Sequence, residues 1–531
     1  MKSFMKKWMK SSRSHKVIQE LNPVSEPKMV MNHELDLNRI LLEKTFVNCS
    51  DIVFRPVDLF GNHHAMLVYV DGMVDTMLLE HEFMQTLRDS ESQCEENSLL
   101  SLAEQLRHTL RTGQIRTADT LNDLVKGVLD GGVAVVIDGE LNVMIVGMER
   151  VPSRSLDEPD AEPLIRGPRE GFIEQVQTNM ILLRKRLKTP RLKMESFTVG
   201  ELTQTKVKVV YIDGIATDSV VQEVRERISR IEIDGVIESN YIEEFIEDMP
   251  FSPFPQVQTT ERPDIVVANL LEGKIAILVD GTPVTLIVPI TFWNLLLSAE
   301  DYYERFLVVS FIRCIRFMFI FISLFLPSIY VAVASFHTEM IPTNLLLSIA
   351  GARESSPFPA LAEALFLELI FEGLREAGIR LPKQVGPAVS IVGGLVIGQS
   401  AVQAGIVSAP MVIVVSLTGI ANFTTPRFNV ALSTRLLRFP LILLAGTLGL
   451  YGIGLGFACI LIHLNTLRSF GIPYFEPVAP LSLGGLKDVL IRAPHWAMKL
   501  HPRIIGNKEP LRSGQQPGPY QSDGMDKKGG K

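Results

Sequence analysis

Glu368, Glu372 and Glu376 recur at four-residue intervals in ALFLELIFEGLREAG, so a helix places all three carboxylates on one face. Fixed negative charge of that kind concentrates cations at the mouth of a membrane pathway. Downstream, SIVGGLVIGQSAVQAG (390–405) is uncharged but holds two amides, Gln399 and Gln403, one helical turn apart. Val392 and Val396 fall on the same broad side. Rings of such residues in an oligomer alternate polar and small apolar surfaces, and a valine ring closes a pore by dewetting. Gly393, Gly394 and Gly398 suit close helix packing, the last two as a small-xxx-small pair. Each set also has a plainer reading. The glutamates suit the solvated face of an amphipathic helix at a membrane surface. The glutamines suit interhelical hydrogen bonds inside one bundle. One copy of the glutamine helix cannot enclose a pore, so the pore reading requires an oligomer.

The elements that hold these residues read as membrane spans. The chain has 531 residues, 47% of them hydrophobic, with a mean hydropathy of +0.22. The apolar excess lies in the second half. Within a transmembrane region at 301–465, four stretches are expected to cross: about 317–335, 385–404, 407–424 and 439–463. The acidic stripe belongs to an amphipathic helix expected at 357–377, after Ser355-Ser356 and before Gly378. A membrane-proximal segment (466–505) and a disordered tail (506–531) follow. Arg305, Arg313 and Arg316 precede the first span, and Arg468, Lys487, Arg492 and Lys499 follow the last. These place both flanks in the cytoplasm, while Arg427, Arg435 and Arg438, on the other side, count against it.

The region before residue 300 reads as soluble α/β structure with an internal duplication. Four apolar, β-branched runs end in Asp-Gly turns. Asp71-Gly72 lies 142 residues before Asp213-Gly214, and Asp138-Gly139 lies 142 residues before Asp280-Gly281. Two related subdomains are therefore expected at 45–150 and 195–300, joined by a Pro-rich linker and helix at 151–194. The linker carries Arg166 and Arg169 in IRGPREGF, readable as an anion or subunit contact or as a plain surface turn. Residues 1–44 read as a flexible basic start without the apolar core of a signal peptide. The fold class is thus an α/β soluble N-terminal region with two duplicated subdomains, followed by an all-α transmembrane bundle.

Catalytic motifs are missing from the sequence. It has no phosphate loop, HExxH, GxSxG or dinucleotide fingerprint, so no enzyme and no cofactor are expected. Cys49, Cys94, Cys314 and Cys459 are scattered without a CxxC, which argues against a metal site or a disulfide framework. A net charge of −7 gives no reason to expect nucleic acid as a partner.

Three long segments resemble the A subunit of the GerA-type spore germinant receptors: SSPFPALAEALFLELIFEGLREAGIRLP, VSIVGGLVIGQSAVQAGIVSAPMVIVVSLTGIANF and LRSFGIPYFEPVAPL. NCSDIVFRP, IRGPREGF and the IDG strands extend the resemblance over about 45–500. It implies a multi-pass protein of the spore inner membrane, in contact with membrane lipid, its N-terminal domain cytoplasmic. It also implies a transporter-like B subunit and a lipoprotein C subunit as partners. A homo-oligomer, by family a pentamer, would form a nutrient-gated cation channel that triggers germination. Carried over by motif, the pore and gate candidates are Val389, Val392, Val396, Gln399 and Gln403. Glu363, Glu368, Glu372 and Glu376 are candidates for an acidic vestibule or for helix packing. A scaffold subunit without its own pore, or a paralogous germination-amplifying channel, is the alternative.

Overall fold

A computed structural model of the chain describes residues 30–59, 63–80, 114–149, 158–159, 162–380, 396, 398–482, 485–489 and 491–495. Two compact units emerge. One is built on residues up to Ile246 plus Thr259–Val288, the other on Glu247–Gln258 plus Pro289–Ala493.

The first unit runs α1 (Leu35–Thr45), β1 (Ile52–Leu59), β2 (His63–Val70), β3 (Ile115–Ala118), α2 (Leu121–Leu129), β4 (Gly132–Ile137) and β5 (Val143–Gly147). It continues α3 (Val176–Arg186), β6 (Leu192–Val199), β7 (Thr205–Ile212), α4 (Asp218–Ser229), α5 (Ser239–Ile246), β8 (Gln258–Thr260), α6 (Pro263–Leu270), β9 (Ile275–Val279) and β10 (Thr285–Val288). The strands form two five-stranded sheets of one order, β1-β2-β4-β5-β3 and β6-β7-β9-β10-β8. The central strands β4 (GVAVVI) and β9 (IAILV) are buried along their whole length, as continuous apolar runs should be.

The repeat begins earlier than the Asp-Gly turns indicate. Helices α1 and α3 have 11 residues each and open their respective repeats. Asn38 in α1 exchanges hydrogen bonds with the backbone of Asn32. Asn179 in α3 does the same with Ile173. The Leu35 N–H donates to Asp138 Oδ1 at 3.0 Å, and the Val176 N–H donates to Asp280 Oδ1 at 3.1 Å. These turn aspartates therefore hold helix N-termini, where backbone N–H groups lack intrahelical partners. The first repeat thus includes residues assigned above to a flexible start, and the second includes the connecting helix.

The repeats meet along β6. The Met194 N–H donates to the Asn48 carbonyl at 2.8 Å, and the Ser50 N–H donates to the Met194 carbonyl at 3.0 Å. Arg184 of α3 donates twice to Asp51, both at 2.8 Å, and both residues are buried. Ile181 of α3 packs against the first repeat's core and lies over Gly72.

In the second unit, α7 (Phe306–Phe336), α8 (Thr343–Glu354), α9 (Ala360–Arg380), α10 (Ala409–Phe423) and α11 (Phe428–Thr466) follow in order. A small hairpin, β11 (Arg468–Ser469) with β12 (Ile472–Pro473), closes the unit. Helices α7 and α11 are long and apolar enough to cross a membrane. The span expected at 317–335 lies within α7, which starts earlier and takes Arg313 and Arg316 into the helix. The span expected at 439–463 lies within α11, which bends at Gly449 (φ 63°). The stretch expected at 407–424 forms α10, 15 residues long. At about 1.5 Å per residue that is about 22 Å, short of a bilayer core of about 30 Å. Most of the stretch at 385–404 lies outside the described residues.

Candidate functional site

The glutamine helix is described at Val396 and from Gly398 to Gln403. Val396 is 54% exposed, and Gln399 and Gln403 are exposed beside it. Ala401, on the opposite side, is buried in the apolar cluster formed with α7, α9, α10 and α11. Gly398 lies alongside α10, since a Cβ there would stand 3.7 Å from Val412. Among the described residues, no hydrogen bond ties either glutamine amide to the bundle. The valine–glutamine face therefore points away from the chain's own core. Val389, Val392, Gly393 and Gly394 lie outside the described residues.

Gly405 ends this helix with φ +68°, and a Cβ there would stand 2.9 Å from the Ser355 carbonyl oxygen. That close approach and left-handed turn suit only glycine. They bring the chain back into α10 beside the end of α8.

The four glutamates of α9 have separate fates. Glu363 Oε2 accepts the Ser408 N–H at 3.2 Å and the Ser408 hydroxyl at 2.7 Å, in buried surroundings. It therefore ties α9 to the start of α10, where unpaired N–H groups favour an anion. Glu368 is buried and accepts from Arg438 of α11 at 2.7 Å. Arg438 also donates to Ser323 Oγ of α7 at 3.0 Å, and Ser323 reaches Asn422 Oδ1 of α10 at 3.4 Å. Glu372 is half-buried between Arg375 and Arg435. Glu376 is exposed and pairs with Arg380. The face expected to be solvated is thus mostly engaged in helix contacts, because α11 supplies arginines opposite it.

These arginines were not legible as site residues, since hydropathy alone makes Arg435 and Arg438 a loop flank. A usable signal does exist: Glu368 and Glu372 at i, i+4 match Arg435 and Arg438 at i, i+3. Arg313 and Arg316, expected as a flank, both donate to the buried Asp301, and Arg313 also bonds Asp488. Arg313 and Arg492 each lie 5.6 Å from the Tyr302 ring centroid. The Tyr302 hydroxyl donates to Asp488 at 2.6 Å. This cluster fastens the C-terminal segment to the start of α7. Glu476, beyond β12, is buried, and both its carboxylate oxygens are without a partner among the described residues. Burial pushes its carboxyl up to about 7.

In the first unit Arg166 and Arg169 are exposed, and Arg169 lies 3.8 Å from Glu158. Their loop is held from beneath by the buried Arg262, which donates to the Glu162 and Pro168 carbonyls and to Asp264. Among the described residues no group of His, Cys, Asp or Glu has the arrangement of a metal site.

The family model "Bacillus/Clostridium GerA spore germination protein" matches residues 41–504. "Uncharacterized membrane protein YfkQ" of Bacillus subtilis (strain 168) is 46% identical over 93% of this chain and 95% of its own length. "Spore germination protein KA" of the same organism is 43% identical over 94% of this chain and 92% of its own. Among solved structures, the N-terminal domain of the A subunit of the Bacillus megaterium spore germinant receptor GerK3 is similar, with 34% identity and a TM-score of 0.40. That likeness covers 50% of this chain and 98% of the domain. With a matching family model and relatives aligned over nearly all of its length, the chain belongs to the GerA family of Bacillus/Clostridium spore germination proteins.

Proposed function

We propose that this chain is the A subunit of a spore germinant receptor, and that copies assemble in the spore inner membrane into a cation pore. The observation that carries the reading is the outward face of Val396, Gln399 and Gln403, set against the buried Ala401. Amides facing hydrocarbon are costly, so such a face calls for water or another polar surface. An oligomer around a water column supplies both, with valine rings as the constriction. Family membership and the name of the KA relative support the germination context. The pore opens when a nutrient binds a transporter-like B subunit, with a lipoprotein C subunit completing the complex. The first unit lies in the cytoplasm.

Ion flux through the purified full chain in liposomes, with and without its partner subunits, tests this reading. Val396→Ala should raise cation leak several-fold over wild type by weakening the apolar constriction. A verified oligomer that conducts under none of these conditions would replace the pore with a scaffold role, the glutamines then gripping a partner's helix.

A further inference from the structure

The duplication leaves the molecule with one joint made and the same joint open at both ends. Within the chain, α3 of the second repeat docks on the first repeat through its sixth and ninth residues. Ile181 covers Gly72, and Arg184 pairs with Asp51. The sixth and ninth residues of α1 are Ile40 and Glu43. Ile40 is 62% exposed, and Glu43 meets only its own helix neighbour Arg39 among the described residues.

The receiving surface is repeated as well. Asp51 immediately precedes β1, and Arg191 immediately precedes β6. The equivalence shows in the backbone: the Asp71 N–H donates to the Asp51 carbonyl, and the Asp213 N–H donates to the Arg191 carbonyl. Gly214 is the counterpart of Gly72, and the Arg191 guanidinium lies over it where Ile181 lies over Gly72. Leu129, in the core against which Ile181 packs, is 1% exposed. Its counterpart 142 residues on, Leu271, is 37% exposed.

We propose that α1 of one copy docks on the second repeat of a neighbouring copy, reproducing between chains the joint that α3 makes within one. Ile40 seats at Gly214 and Leu271, and Arg191 swings from the glycine to pair with Glu43. The charges are exchanged relative to the internal joint, where the helix gives the arginine and the strand the aspartate, yet they remain complementary. That exchange is what makes a second copy the fitting occupant. Two counterparts do not transfer. Val47 and Glu272 stand in place of the Lys188–Asp130 pair, and Asp36 would face Asp213 where Gln177 meets Asp71. A head-to-tail contact of this kind builds rings or filaments. Copies inserted in one membrane with one orientation are related by rotation about its normal, which selects rings. The inference rests on the oligomer of the proposed function and supplies its interface outside the spans.

The test uses the full chain in detergent, with mass read by light scattering and folding by circular dichroism. Glu43→Arg and Arg191→Glu should each lower the oligomer fraction several-fold, and the double exchange should restore it. Asp36→Asn should tighten assembly. Folded single variants that assemble like wild type, or a folded double variant that stays dissociated, would overturn the interface. Liposome flux separates the two proposals. Conduction by intact oligomers of the single variants removes the interface and keeps the pore, whereas rescue of assembly without any flux keeps the interface and removes the pore.

Discussion

Glu368 and Arg438 form the most consequential ionic contact of the helical unit, because they join α9 to α11 with both side chains buried. Removing one partner strands the other charge in a medium that solvates it poorly. Arg438→Ala is therefore expected to cost about 3–5 kcal/mol, more than Arg380→Ala at the exposed Glu376 pair, which should cost under about 1 kcal/mol. Thermal unfolding in detergent checks the contrast, and equal melting temperatures would remove this pair from the account. Glu476 behaves differently. Its carboxyl is raised from an ordinary 4.5 to about 7 by burial, so the folded chain keeps a proton that the unfolded chain releases. Stability therefore falls as pH rises from about 4.5 through about 7, then levels. Glu476→Gln should flatten that slope and raise the melting temperature at about pH 8. A slope that persists in the variant would assign the pH dependence to other groups.

The helix boundaries show where sequence reading succeeds and where it stops. The acidic stripe gave α9 to within a few residues, because Ser355, Ser356 and Gly378 punctuate it. Its environment was not legible, since the stripe shows spacing but not what lies opposite. The Asp-Gly offset gave the duplicated strands, but α1 and α3 were missed as equivalents because the residues they share are few: Asn38 with Asn179, and Ile40 with Ile181. The short α10 was read as a span because an uncharged run carries no mark of where its helix begins. At this scale Gly405 sets the joint between the glutamine helix and α10. Gly405→Ala should lower stability by about 1–3 kcal/mol through its left-handed backbone and the approach to Ser355. Gly373→Ala, at an ordinary helical position with open space around a Cβ, should be neutral or slightly stabilising. Identical unfolding of the two variants would contradict the assignment.

At the scale of the molecule, the duplicated unit and the helical unit divide the work of assembly between two chemistries. The first offers charged and apolar patches that water must surround. Its contacts should weaken in high salt, because Glu43 and Arg191 are screened as separate groups. The second offers the valine–glutamine face, whose contacts depend on close packing and respond little to salt. Assembly measured against ionic strength therefore reports which chemistry dominates. The fold of the first unit was legible because a repeat is visible twice in one chain. The outward face of the glutamine helix was legible only as an alternative, since an amide on a helix has the same sequence whether it points inward or outward.

Of the three tryptophans, Trp8 and Trp496 lie outside the described residues, while Trp293 stands in an aromatic cluster with Phe292, Phe317 and Phe475. Its indole N–H donates to the Phe475 carbonyl at 3.2 Å, across the seam between the chain entering α7 and the chain leaving α11. With Phe at positions 8 and 496, the emission of the protein would come from this one seam. Loosening of the hairpin that follows α11 would then appear as a red shift and quenching, giving gating and unfolding of the helical unit an optical signal without any added label.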